Sequence, residues 1–214
     1  MTLSLHNTVY TIGHSTHTQE HLVDLLQRHG ITALCDVRSR PYSKMNPQFN
    51  RPDLKLALAK RSIRYVFLGD ELGARSKDPA CYEAGRVRYD RIAQTELFRQ
   101  GLHRITTGME KFTLALMCAE KDPLYCHRTI LVARHLVELD VPVKHIHADG
   151  ELETQEEALA RLVRVLDIRE DEDHMFRSRE QLFEEVYELQ EKRIAYEIDP
   201  SSDSGLDSSK EIYK

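Results

Sequence analysis

No stretch of this sequence approaches the roughly 20 consecutive apolar residues that a membrane helix needs. Residues 1–9 also lack the basic start and apolar run of an export signal. These absences predict a cytoplasmic protein with no membrane partner. Cysteine is scarce: Cys35, Cys81, Cys118 and Cys126 are too few and too dispersed for a secreted disulfide framework, so reduced thiols are expected. A surplus of positive charge is missing as well. The formal net charge of −5 argues against bulk attraction to nucleic acid, because phosphate backbones reward neutralisation by Lys and Arg. The balance is uneven, however. Acid is concentrated late, in residues 151–157, 170–173 and 184–191, whereas Arg38, Arg40, Lys44, Arg51, Arg61 and Arg64 cluster early, which leaves room for a local basic surface. No internal repeat is present.

What is there has the balance of a soluble globular chain. Of 214 residues, 41% are hydrophobic and 30% charged, enough for one substantial core, and residues 1–198 are read as a single domain. Val9, Tyr10, Thr11 and Ile12 favour a strand, Thr18 opens a helix carrying Leu22, Leu25 and Leu26, and residues 31–37 form the next β-favouring run. That is a βαβ pattern, which implies parallel strands. The rhythm continues with a proline-bearing loop (39–52), a helix over 53–61 capped by Asp53, a strand over 63–68 and a loop over 69–85. A long helix over 89–107 follows, weakened by Gly101, then a strand over 111–117. A helix over 126–139, with Ile130, Ala133, Leu136 and Val137 on one face, leads to a fifth strand over 141–147.

The fold class predicted is therefore α/β: an open, mostly parallel five-stranded sheet flanked by helices. A C-terminal helical part (152–198) follows, with helices at 154–166 and 178–194. Thr154 with Glu157 and Ser178 with Gln181 have capping-box spacing at the starts of these helices. Residues 199–214 turn to Ser, Asp and Gly and are expected to be a mobile tail.

On that scheme the polar residues gather at one sheet edge. His14 follows the first strand, Asp36 and Arg38 end the second, Glu71 follows the third, and Cys118 and Glu120 end the fourth. Ligands of open α/β sheets bind outside the carboxyl ends of the strands, near the point where strand order reverses. The densest cluster is Cys118, Glu120, Pro123, Cys126, His127 and Arg128. A helix start offers free N–H groups and partial positive charge, so Arg38, His127 and Arg128 are candidate anion-binding residues. The same helix start would push Cys126 toward the nucleophilic thiolate, although buried cysteines are commonly inert. His14, Glu120 and Cys126 are the candidate catalytic groups, with Asp36, Glu71 and Cys118 in support. Asp36 and Arg38 alternate on one strand end, so they either pair to fix the following loop or grip a substrate.

Three readings of this edge stay open. One is a site for a phosphate-bearing ligand, a nucleotide or nucleic-acid component, with or without catalysis. Another is a non-catalytic nucleic-acid-binding module built on the basic loop 38–51. The third is a metal or thiol site at Cys118, Cys126 and His127, with zinc completed by His14 or His147; the spacing is not one of the usual paired-ligand patterns, so no obligatory cofactor is expected.

Several segments together resemble the bacterial and archaeal domain-of-unknown-function family 488. They are Thr11-Ile12-Gly13-His14-Ser15, Asp36-Val37-Arg38-Ser39-Arg40-Pro41 running on to Pro47-Gln48-Phe49-Asn50, Glu71-Leu72-Gly73, and Cys118-Ala119-Glu120 with Pro123 and Cys126-His127-Arg128. Arg193-Ile194-Ala195-Tyr196 is similar to longer members. The resemblance implies a single α/β domain and marks these positions as signature residues, without supplying a reaction. Relatives often have a second glycine where this chain has Ala74, so that loop is expected to differ where free backbone torsion is needed.

Overall fold

Short apolar, β-branched runs become strands here, and the amphipathic stretches between them become helices covering both faces of the sheet. The computed structural model describes residues 8–168 and 178–198. In chain order the strands are β1 (Val9–Gly13), β2 (Ala33–Asp36), β3 (Arg64–Phe67), β4 (Tyr82–Glu83), β5 (Arg86–Val87), β6 (Leu114–Cys118), β7 (Val143–Ile146) and β8 (Leu152–Thr154). Six of them form one sheet in the order β3-β2-β6-β1-β7-β8, and β4 and β5 make a separate antiparallel hairpin. All pairings in the large sheet are parallel except β7 with β8. The five expected strands are thus joined by an antiparallel edge strand of three residues, too short to stand out in the sequence.

The helices are α1 (Gln19–Arg28), α2 (Arg51–Ala59), α3 (Gly69–Leu72), α4 (Tyr89–Ala93), α5 (Glu96–Met109), α6 (Arg134–Val137), α7 (Gln155–Val165) and α8 (Arg179–Ile194). Leu22, Leu25 and Leu26 of α1 and Leu54 and Leu58 of α2 pack one sheet face through Ile12, Leu34 and Met117. On the other face α5, α6, α7 and α8 bring Phe98, Leu136, Leu162 and Val186 against Cys35, Leu116 and Val143. Burying one such leucine or phenylalanine contributes about 1.5–3 kcal/mol, so the two layers jointly hold the strands in register.

Several elements differ from the sequence expectations for identifiable reasons. The helix starting near Asp53 begins earlier, at Arg51, because Pro52 fits the first turn; Asn50 precedes it, and its Oδ1 accepts from Ser43 N instead of capping the helix. The long helix over 89–107 is two, since Thr95 interrupts it and caps α5 by accepting from Phe98 N at 3.1 Å. Gly101 has a packing reason. A Cβ there would lie 2.6 Å from the Leu72 side chain, so its absence lets α3 lie against α5. The helix over 126–139 is a π-helical turn (Arg128–Ala133) running into α6. Its wider turn rotates the following face, and Val137 is 44% exposed while Ile130, Ala133 and Leu136 are buried. Both expected capping boxes are present, at Thr154 and Ser178. The expected tail at 199–214 lies outside the described residues. Among the described residues no helix is long and apolar enough to cross a membrane.

The topology places the site. The connections from β1 to β2 and from β2 to β3 run over the α1/α2 face, whereas those from β3 to β6 and from β6 to β7 run over the opposite face. Neighbouring strands β2 and β6 therefore send their chains to opposite faces and in opposite directions, which opens a crevice beyond their carboxyl ends.

Candidate functional site

At the tip of β2, Asp36 and Arg38 form a buried, two-pronged ion pair: Arg38 Nε donates to Oδ1 at 2.9 Å and Nη2 to Oδ2 at 2.6 Å. Tyr65 OH also donates to Asp36 Oδ2, at 2.7 Å, and Arg38 Nη2 to the Phe49 carbonyl at 2.8 Å. The pair therefore ties the 39–52 loop to the sheet. His14 completes the group. Its Nδ1 donates to the Ser15 carbonyl at 2.9 Å, which leaves Nε2 to accept from Arg38 Nη1 at 3.1 Å, and the ring stacks on Phe49. Burial, and secondarily the charge of Arg38, holds the His14 pKa down to about 4. With both nitrogens engaged, the expected acid/base group is a neutral acceptor that positions Arg38.

The second cluster grows from the tip of β6. Gly13 lets the 118–121 turn cross the end of β1 closely, since a Cβ there would sit 1.9 Å from the Glu120 carbonyl oxygen. Arg128 fastens the same turn from below, donating from Nη1 to Glu120 O at 2.7 Å and from Nη2 to Lys121 O at 3.2 Å. Arg128 has no accessible surface. Expected as an anion-binding residue, it spends both terminal nitrogens on backbone carbonyls, while its buried Nε has no hydrogen-bond partner among the described residues. The helix start is occupied too, as Arg128 N donates to Cys126 Sγ at 3.5 Å.

Around that sulfur lie the groups able to do chemistry. Cys126 Sγ and Glu120 Oε2 share a hydrogen bond of 3.0 Å, His127 Nδ1 lies 3.6 Å from Cys118 Sγ and 3.9 Å from Cys126 Sγ, and His127 Nε2 donates to the Val37 carbonyl at 3.1 Å. Burial alone would raise the Cys126 thiol, yet the hydrogen bond from Cys118 and the positive charges of Arg128 and His127 hold it well below its usual value. Cys118 moves the opposite way. Burial, reinforced by the Cys126 charge, pushes it well above the ordinary thiol range. Lost hydration and the neighbouring Cys126 raise the Glu120 carboxyl. Arg128 and His127 are thus the positive neighbours that favour the thiolate form of Cys126.

Both clusters face one cleft of about 470 Å³, within the size range of small-molecule sites. Arg38 and Arg40 from the end of β2 and Cys118, Glu120 and His127 from the β6 side form its floor and walls. A family model described as "Domain of unknown function DUF488" matches residues 18–135, more than half of the chain. The chain belongs to the DUF488 family. No curated protein and no solved structure matches it. The matched stretch of this DUF488 chain supplies both the β2 and β6 walls, while His14 and the closing C-terminal segment lie beyond it.

That closing segment was missed as part of the site. After α8 the chain runs beside the β4/β5 hairpin, with Val87 N donating to Tyr196 O at 2.9 Å and Ile198 N to Gly85 O at 2.8 Å. Tyr196 thereby reaches the cleft, joined by Tyr42, Arg75, Tyr89 and Tyr125. Arg75 stacks its guanidinium 4.4 Å over the Tyr196 ring. The only sequence signal for Tyr196 was its place in the late segment similar to longer family members. Other expected residues separate from the group. Glu71 pairs with Arg104 on α5 and does not line the cleft, and His147 bonds Glu153 at 3.0 Å. Ala74 lines the cleft without needing left-handed backbone, so the missing glycine has no torsional consequence.

Proposed function

We propose that the cleft between the β2 and β6 tips binds a phosphate-bearing ligand with an aromatic ring, a nucleotide or a nucleic-acid component. The supporting observation is that exposed Arg40 and Arg75 line the same cleft as Tyr42, Tyr89, Tyr125 and Tyr196. Guanidinium groups suit phosphate oxygens and tyrosine faces suit a planar base, while Arg38, paired with Asp36 and bonded to His14, holds the floor in place. Glu120, with its raised pKa, is the group placed to exchange a proton with the bound molecule.

The test is calorimetric titration of the full chain with a nucleoside monophosphate and with inorganic phosphate. Arg40→Ala and Arg75→Ala should each weaken binding by about 1.5–3 kcal/mol, the range for hydrogen bonds to charged groups. Affinity unchanged in both variants would sink the reading. A second reading draws on Tyr42 (62% exposed) and Met45 (89% exposed) beside Lys44, which give the basic loop the makings of a single-strand track leading into the cleft. Under that reading oligonucleotide affinity falls steeply with salt while mononucleotide affinity is negligible.

A further inference from the structure

The buried pair of thiols beside His127 asks for an explanation that ligand binding in the cleft does not provide. His127 is 8% exposed, and its Nε2–H is committed to the Val37 carbonyl, so Nδ1 is the ring nitrogen directed inward. There its polar partners among the described residues are the two sulfurs, Cys118 Sγ at 3.6 Å and Cys126 Sγ at 3.9 Å. Two thiol sulfurs and one imidazole nitrogen are donor types that hold zinc, and their spacing fits it. With Zn–S near 2.3 Å and Zn–N near 2.0–2.1 Å, tetrahedral geometry sets sulfur and nitrogen about 3.6 Å apart.

We propose that Cys118, Cys126 and His127 form a zinc site with an open fourth position toward the cleft. The three donor atoms already lie within 4.8 Å of one another. Their outer partners are those that metal ligands use: the Val37 carbonyl fixes the histidine tautomer, and the Arg128 N–H donates to Cys126 Sγ at 3.5 Å. His14 and His147, the fourth ligands expected from sequence, are engaged with Arg38 and Glu153 and stand outside the group. Cys118 and His127 both border the cleft, so the unfilled position opens onto it, with Glu120 alongside. Three protein ligands and one open position are the arrangement of catalytic rather than structural zinc. That a ligand's phosphate oxygen takes this position rests on the reading of the cleft given above; the metal site itself does not.

The experiment uses the reduced full-length chain, stripped with a chelator and titrated with Co2+ and then Zn2+ in the absence of any cleft ligand. Expected are one equivalent of Co2+ with tetrahedral d–d bands and thiolate-to-metal charge transfer, both bleached by Zn2+. Cys126→Ser and His127→Ala should each lower zinc affinity by more than the roughly 10–100-fold that loss of an outer partner costs, whereas Glu120→Gln, which removes an outer partner of Cys126, should stay within that range. Circular dichroism checks that the variants fold, and in wild type Zn2+ should also slow alkylation of the thiols. A spectrum of octahedral cobalt, binding retained by both ligand variants, or alkylation indifferent to Zn2+ in the wild type would overturn the proposal. Because no nucleotide or phosphate is present, such a failure leaves the ligand reading of the cleft to its own test.

Discussion

Acidification should loosen the β2 tip through His14, and the size of the effect follows from its environment. In the fold His14 is neutral down to about pH 4, because it is buried and faces the Arg38 cation; its ordinary value is 6.5. Below pH 6.5 the unfolded chain therefore binds a proton that the folded chain refuses, so stability falls as pH falls, until the folded form also protonates near 4. Between pH 7 and pH 5 one such histidine costs about 2 kcal/mol, and over the whole window about 3 kcal/mol. Other groups titrate in the same range, among them His145, buried and lowered to about 3, so the wild-type curve alone does not isolate the contribution. Comparison with His14→Gln does, since an amide oxygen still accepts from Arg38 without titrating. Urea unfolding at the two pH values should show the wild type losing about 2 kcal/mol more than the variant. Parallel losses would refute the account of His14 as a buried neutral acceptor.

Other perturbations separate scaffold from site. Arg128→Met removes the donors holding the Glu120 and Lys121 carbonyls and should cost about 3 kcal/mol or more in urea denaturation. Phosphate affinity lowered more than by Arg75→Ala would return Arg128 to the binding surface. Gly13→Ala must push back the Glu120 carbonyl, and should lower stability by about 1–3 kcal/mol while parting Glu120 from Cys126; a thiol alkylation rate equal to wild type would contradict this. Asp36→Asn leaves the buried Arg38 charge without its counterion, with an expected loss of about 3–5 kcal/mol in thermal or chemical unfolding. A loss of about 1 kcal/mol or less, as for a surface pair, would show that the pair is better hydrated than its burial indicates.

The strand and helix rhythm was legible because it depends on local periodicity: Leu22, Leu25 and Leu26 repeat at helical spacing, and Thr154 and Ser178 with their partners three residues on are capping boxes in sequence and in space. The edge on which Arg38, Cys118 and Glu120 meet was legible for a related reason, since strand ends of a parallel sheet share one side. What those residues do there was not. Arg128 reads as a candidate anion-binding cation beside a helix start, and only the folded chain brings the Glu120 and Lys121 carbonyls to it and buries it. His14 reads as a free base until Arg38 and the Ser15 carbonyl claim both nitrogens. Tyr196 and Arg75, 121 residues apart, have no local signal of their contact.

By itself, then, the sequence determined the alternation of elements, the helix starts and the edge toward which the polar residues converge, because each depends on neighbours a few positions away. Only the tertiary structure decided which donors remain available at that edge. Whether a guanidinium or imidazole is free depends on what distant stretches of chain bring to within about 3 Å of it, the reach of a hydrogen bond.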